Sequence, residues 1–251
     1  VSKIVNGLLM AISMFTIIPL PKHEWNDAGA KHILKFYPLI GLIVGGFWYG
    51  VCKLLVGIDA SIILISALTM VTPFIITGML HLDGYMDVCD AMLSRRDKKE
   101  KIRILKDPNT GAFSVIALAM LFIVNFASTY TVIDNGWNLI ALVLIPVISR
   151  SFMGFLLLTK ESMPESSLGS YFKKGTGIID KILLLIFILI PSIVLILILG
   201  IEALGVPLAM IGITIIFVNN SCMELGGMSG DIAGFGLVIA ESIGLLIVAL
   251  M

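Results

Sequence analysis

Charge is what this sequence has least of. Only 14% of its 251 residues are Asp, Glu, Lys or Arg, while 58% are hydrophobic; soluble domains carry about one-quarter charged residues. The shortage excludes a water-soluble globule, and the apolar surplus excludes a disordered chain, which lacks the residues to fold. Neither sign of charge dominates. The 17 basic and 17 acidic residues cancel, which leaves no excess to hold a nucleic-acid backbone. Cysteine is scarce as well: Cys52, Cys89 and Cys222 include no pair at metal-ligand or redox spacing. They read as small buried side chains, not as a disulfide framework. No internal repeat is visible, which weighs against the many transporter folds assembled from duplicated halves.

What is present comes in apolar blocks about 20 residues long, the length of a membrane-crossing helix. Runs at 4–20, 36–57, 61–80, 111–133, 137–159, 182–201, 204–222 and 232–251 predict an all-α polytopic integral membrane protein. Seven or eight hydrophobic helices are expected, in a single membrane-embedded domain over residues 1–251. Run 4–20 is the shortest and the least able to span; without an Ala-x-Ala-like exit it reads as mature chain, not as a signal peptide. Pro73, Pro146, Pro191 and Pro207 fall inside runs, where membrane helices tolerate them. The connecting loops alternate in basic content. Lys22, Lys31 and Lys35, then the residues from Arg95 to Lys106, then Lys160 to Lys181 mark every second loop. Positive-inside bias assigns these loops to the cytoplasm of a prokaryotic inner membrane, and parity adds the loop before Asp231.

The densest polar stretch is His81-Leu82-Asp83-Gly84-Tyr85-Met86-Asp87-Val88-Cys89-Asp90-Ala91, directly after the third run. At about 100° per residue, the i, i+4, i+7 spacing sets Asp83, Asp87 and Asp90 in one stripe of a helix. Like charges stacked this way repel, each pair costing about 0.2–0.5 kcal/mol when exposed and more near a membrane. A divalent cation removes that cost. Carboxylates without thiolate or clustered imidazole favour Mg²⁺, or Mn²⁺, over zinc; the plainer alternative is a solvated helix end. His81, about 200° from Asp83 on the same helix, points away from the stripe and is a candidate substrate contact.

Basic residues follow at once. Most suit anionic lipid heads, but Arg95 or Arg96, a turn beyond Asp90, is well placed for a phosphate, which guanidinium grips bidentately. Lys106-Asp107-Pro108-Asn109-Thr110-Gly111 reads as a turn, with Lys106 a candidate phosphate contact and Asp107 a fourth carboxylate. The loop Gly226-Gly227-Met228-Ser229-Gly230-Asp231 is glycine-rich and precedes a helix, where backbone N–H groups suit a phosphate; Asp231 can equally cap that helix. Gly41, Gly45 and Gly46 read as close helix packing. Arg150, inside an apolar run, is costly there and so a candidate anion contact. Glu161 and Glu165 read as solvated loop charges.

Taken in order, these segments resemble the cobalamin synthase (adenosylcobinamide-GDP ribazoletransferase) family over nearly the whole chain. Phe15 with Pro19-Leu20-Pro21, Tyr37-Pro38-Leu39-Ile40-Gly41, and His81 to Asp90 carry the likeness. So do Lys106-Asp107 with Gly111, Ser149-Arg150, and Gly226 to Asp231 with Glu241. The resemblance implies Mg²⁺-dependent transfer of the adenosylcobinamide phosphate group from adenosylcobinamide-GDP to α-ribazole or its 5′-phosphate, with release of GMP. It assigns metal binding to Asp83, Asp87 and Asp90 and leaves Asp107 and Asp231 as candidate bases. Three positions depart from the family pattern: Ala91 replaces a glycine, Pro108-Asn109 replaces Ser-Arg, and Met223-Glu224 replaces a basic residue before the Gly-Gly loop. A CDP-alcohol phosphatidyltransferase is partly echoed in Asp87, Asp90, Ala91, Ser94 and Arg95. Its second half fails at Ile104, Pro108 and Ala112. A cation transporter would use the same three aspartates near mid-membrane. The apolar surface would also allow copies of the chain to pair.

Overall fold

In the computed structural model, which describes residues 3–23, 25–164, 172–173 and 176–251, the apolar runs are helices. In chain order these are α1 (Lys3–Phe15), α2 (Asp27–Ala30), α3 (Tyr37–Gly57), α4 (Ile62–Ile76), α5 (Leu80–Leu93) and α6 (Lys98–Leu105). They continue as α7 (Ala112–Asp134), α8 (Ala141–Thr159), α9 (Ile178–Leu199), α10 (Gly205–Leu225) and α11 (Gly230–Leu250). Among the described residues, α3 and α7 to α11 are long and apolar enough to cross a membrane, and α4 with α5 makes a seventh span if the bent pair is counted as one. The architecture is all-α and polytopic. Run 4–20 supplies only the 13-residue α1, too short to span at 1.5 Å per residue.

Run 61–80 does not continue straight into the aspartates. Ser61 caps α4 by accepting from Leu64 N, and the helix stops at Thr77, whose hydroxyl bonds back to Pro73 O at 2.8 Å. Gly78 and Met79 then adopt φ of 60° and 62°, the left-handed region that L side chains rarely visit. These two residues turn the chain by 92° into α5. Ile17 N donates to Ile76 O at 2.9 Å, so the segment after α1 packs on the same corner.

Lipid tails are as apolar as leucine, so the helices associate through close packing and buried polar contacts. Within their apolar stretches α8 is 83% buried and α11 72%, against 33% or less for α3, α7, α9 and α10; α8 and α11 are the centre. Gly41 and Gly45 let α3 lie directly on α8. A Cβ at Gly41 would sit 2.4 Å from Pro146 O and one at Gly45 2.6 Å from Val143 O, whereas Gly46 faces open space. Arg150 of α8, 1% exposed, pairs with Glu241 of α11, and Ser149 Oγ donates to the same carboxylate at 2.8 Å. On the outside Ile178, Ile179, Leu189 and Leu197 are more than half exposed, the side chains that meet lipid.

One end of the bundle gathers the polar segments. Lys35, before α3, pairs with Asp180 in the first turn of α9 at 3.0 Å. Lys101 of α6 pairs with Glu224 at the end of α10 at 2.7 Å. Met163 N donates to Met228 O at 2.9 Å, and Met228 N to Glu161 O at 2.8 Å. The loops separated in the chain by basic content therefore meet at a shared end.

Candidate functional site

The acidic stripe is built at that end. Leu80–Leu93 is helical, so Asp83, Asp87 and Asp90 share the face their spacing dictates. The opposite face is buried through Leu82, Tyr85, Val88 and Cys89. Two glycines set the crossing of α5 on α11. A Cβ at Gly84 would lie 2.8 Å from Asp231 O, and one at Gly234 would lie 3.0 Å from His81 O. Tyr85 locks the pair, stacking on Phe235 with centroids 5.8 Å apart while its hydroxyl donates to Ala117 O of α7 at 3.2 Å.

That crossing brings Asp231, in the first turn of α11, to the stripe. The carboxylates of Asp83, Asp231 and Asp90 all act through space on that of Asp87. At the other end of α5, Asp90 packs on the residue that opens α7. A Cβ at Gly111 would fall 2.1 Å from Asp90 Oδ2. The helix starts of α7 and α11, whose unpaired N–H groups carry partial positive charge, thus flank the acidic stripe. Ser229, not Asp231, caps α11 by accepting from Ile232 N at 3.2 Å, because the residue before the first turn has the extended backbone that capping needs.

Among the described residues, none of these four carboxylates has an ion-pair partner. The donor set is hard carboxylate oxygen throughout, which fits a divalent cation of the Mg²⁺ class. No three acidic, histidine or cysteine side chains among the described residues converge closely enough to hold an ion by themselves. A cation here would therefore take further oxygens from a ligand.

His81 is turned away from the stripe, as its helical position requires. It is 6% exposed, its Nε2 lies 3.3 Å from the Tyr37 hydroxyl, and its ring is nearly parallel to Phe15. Between these aromatic groups and Asp83 with Asp231 lies a cavity of about 140 Å³.

The other candidates are spread around the stripe. Arg95, with φ of 54°, ends the chain direction of α5, and Arg95 and Arg96 are exposed beyond Asp90. The basic segment after them is partly a helix. Asp97 caps α6 through Glu100 N at 3.0 Å, and Lys98 Nζ reaches Met223 O at 3.1 Å. Glu224, a charge at odds with phosphate binding, is neutralised by Lys101. Lys106 is exposed. Asp107 accepts from Asn109 N at 3.0 Å and from Asn109 Nδ2 at 2.7 Å. These bonds, with Arg103 nearby, hold its carboxyl below the usual carboxylate range.

The Gly226-Gly227 loop has little left to offer an anion: both N–H groups donate to Cys222 O, and Met228 N donates to Glu161 O. A Cβ at Gly227 would lie 2.7 Å from Met163 N, so this glycine serves close backbone approach. Arg150 is inside the bundle with Glu241, not beside the aspartates. Glu165 lies outside the described residues.

Sequence reasoning missed the contacts Gly84–Asp231 and Asp90–Gly111, along with α6 and its clips to α10. The Asp97…Glu100 start signal was the local clue to α6.

The family model described as cobalamin-5-phosphate synthase matches residues 7–249. A protein of Clostridium botulinum (strain Alaska E43) named adenosylcobinamide-GDP ribazoletransferase is 49% identical over 239 residues, covering 95% of each chain. One of the same name from Clostridium perfringens (strain ATCC 13124) is 46% identical over 242 residues, covering 96% of each. A more distant one, from Lachnoclostridium phytofermentans, is 29% identical over 240 residues, 95% of this chain and 91% of its own. No solved structure matches the chain.

Proposed function

The chain belongs to the cobalamin-5-phosphate synthase family, and from that premise we propose how it works as a transferase in the final step of cobalamin assembly. The donor is adenosylcobinamide-GDP and the acceptor α-ribazole or its 5′-phosphate. A hydroxyl of the acceptor attacks the phosphorus next to cobinamide. A new P–O bond forms, the P–O bond to the GMP phosphate breaks, and GMP leaves with its electron pair. The observation that carries this reading is the unpaired acidic stripe of α5 meeting Asp231, at the end where the basic segments gather.

In this reading Asp83, Asp87 and Asp90 would hold Mg²⁺. When bound, the cation neutralises charge on the diphosphate and stabilises the leaving group. Arg95 and Arg96, exposed beyond Asp90, contact the same phosphates. Asp231 takes the acceptor's proton, because it borders the cavity and the stripe together. Asp107 is less suited: its oxygen is engaged by Asn109 and its carboxyl is weakly basic. The basic loops orient this end toward the cytoplasm of the inner membrane, from which a water-soluble nucleotide arrives.

The test is GMP release by purified protein supplied with adenosylcobinamide-GDP, α-ribazole and Mg²⁺. Chelator abolishes release, and Asp87→Asn lowers kcat at least about 100-fold with an unchanged thermal transition. Undiminished turnover in that variant ends the metal assignment.

A further inference from the structure

The cavity beside Asp83 and Asp231 has two unlike parts. Its mouth is formed by exposed Leu80, Asp83 and Gly230 and half-buried Met14 and Asp231; its floor by the buried Phe15, Tyr37, His81, Leu157 and Phe172. Phe15 and Tyr37 lie 4.6 Å apart between ring centroids, so the floor is largely π-surface. Its polar atoms are few and occupied: the Tyr37 hydroxyl and His81 Nε2 face each other at 3.3 Å. Among the described residues, no Lys or Arg lines the cavity.

We infer that this cavity is the acceptor's subsite, taking the flat aromatic base of a riboside on the Phe15–Tyr37–His81–Phe172 floor and leaving its ribose at the carboxylate mouth. The inference rests on the transferase reading and adds where one substrate lies. Three flat bases enter that reaction, the donor's adenine and guanine and the acceptor's dimethylbenzimidazole, and the floor discriminates against both purines, whose edges are polar. Guanine carries N–H and C=O groups along its edges, and burying them without partners costs free energy. The dimethylbenzimidazole of ribazole has an apolar, methylated edge that needs none. A lining whose described charged groups are the carboxylates of Asp83 and Asp231 also argues against the donor's diphosphate lying here. A riboside seated base-down presents its hydroxyls between Asp83 and Asp231, beside the acidic stripe, in position for the attack.

Equilibrium binding to the full-length protein in detergent tests this without turnover. With no donor present, α-ribazole binds, and GMP at tenfold excess does not displace it. The riboside of unmethylated benzimidazole binds about tenfold more weakly. In steady-state assays Phe15→Leu and Phe172→Leu each raise KM for α-ribazole about tenfold, with KM for adenosylcobinamide-GDP within twofold of the parent. Displacement by GMP, or a rise in donor KM in place of acceptor KM, overturns the assignment in favour of guanine. Wild-type binding decides the matter even where a variant misfolds. The two readings fail separately: a protein that binds α-ribazole but never releases GMP refutes the transferase reading and not the subsite.

Discussion

Asp90 keeps its position because residue 111 has no side chain: a Cβ there would overlap the carboxylate. Gly111→Ala must therefore push Asp90 out of the stripe. Displacements of about 1 Å cost near 100-fold in well-oriented reactions, so GMP release in this variant is expected to drop by about that factor. Its thermal transition should stay close to the parent's, since α7 begins in an open turn. Asp231→Asn and Asp107→Asn separate the two candidate bases. Asp231→Asn is expected to lower kcat about 100- to 10,000-fold, the range for a general base, and Asp107→Asn only a fewfold; the reverse order in a single-turnover assay would move the role to Asp107. The aspartate stripe was legible in the sequence because i, i+4, i+7 spacing is a local property of one helix. Asp231 was visible as a residue at a helix start and, through the family resemblance, as a candidate base, but not as a neighbour of α5. Its meeting with Gly84 joins segments 147 positions apart, and no periodicity reports such a contact.

At the level of elements, Arg150 shows where sequence reasoning stops. A charge inside an apolar run signals a partner or a ligand, without saying which. The partner is Glu241, the last member of the family resemblance, on a helix that the run pattern delimited but could not pair with α8. Removing one charge of a buried pair strands the other and typically costs roughly 3–5 kcal/mol, whereas replacing both is often neutral or stabilising. Arg150→Met should accordingly lower the unfolding temperature in detergent sharply, and Arg150→Met with Glu241→Leu should recover most of it. Persistence of the loss in the double variant would assign the pair to something beyond packing. The 92° corner between α4 and α5 was illegible for a different reason. Hydrophobicity runs through Thr77, Gly78 and Met79 without a break, while the direction of the chain is set there by two left-handed residues.

For the whole molecule, the alternation of basic loops proved a sound guide to which segments share an end. Lys35–Asp180, Lys101–Glu224 and the Glu161–Met228 backbone pairing all lie together. Which side of the membrane that end faces is open to direct labelling. Lys99→Cys and Asn109→Cys should react with a membrane-impermeant maleimide in inverted vesicles and not in intact cells, and Asn135→Cys, exposed at the opposite end of α7, should do the reverse. Labelling of all three from one side would dismantle the seven-crossing path.

The corner after α4 also separates two tasks that a straight span would have tied together. Helices that cross a bilayer answer to its thickness and adjust by tilting when it changes. The acid-bearing helix instead turns 92° away from α4 and packs closely on its neighbours at Gly84, Gly234 and Gly111. The spacing of its carboxylates is thereby insulated from the elastic demands of the lipid, so chemistry at this surface can keep its register while the body of the protein leans.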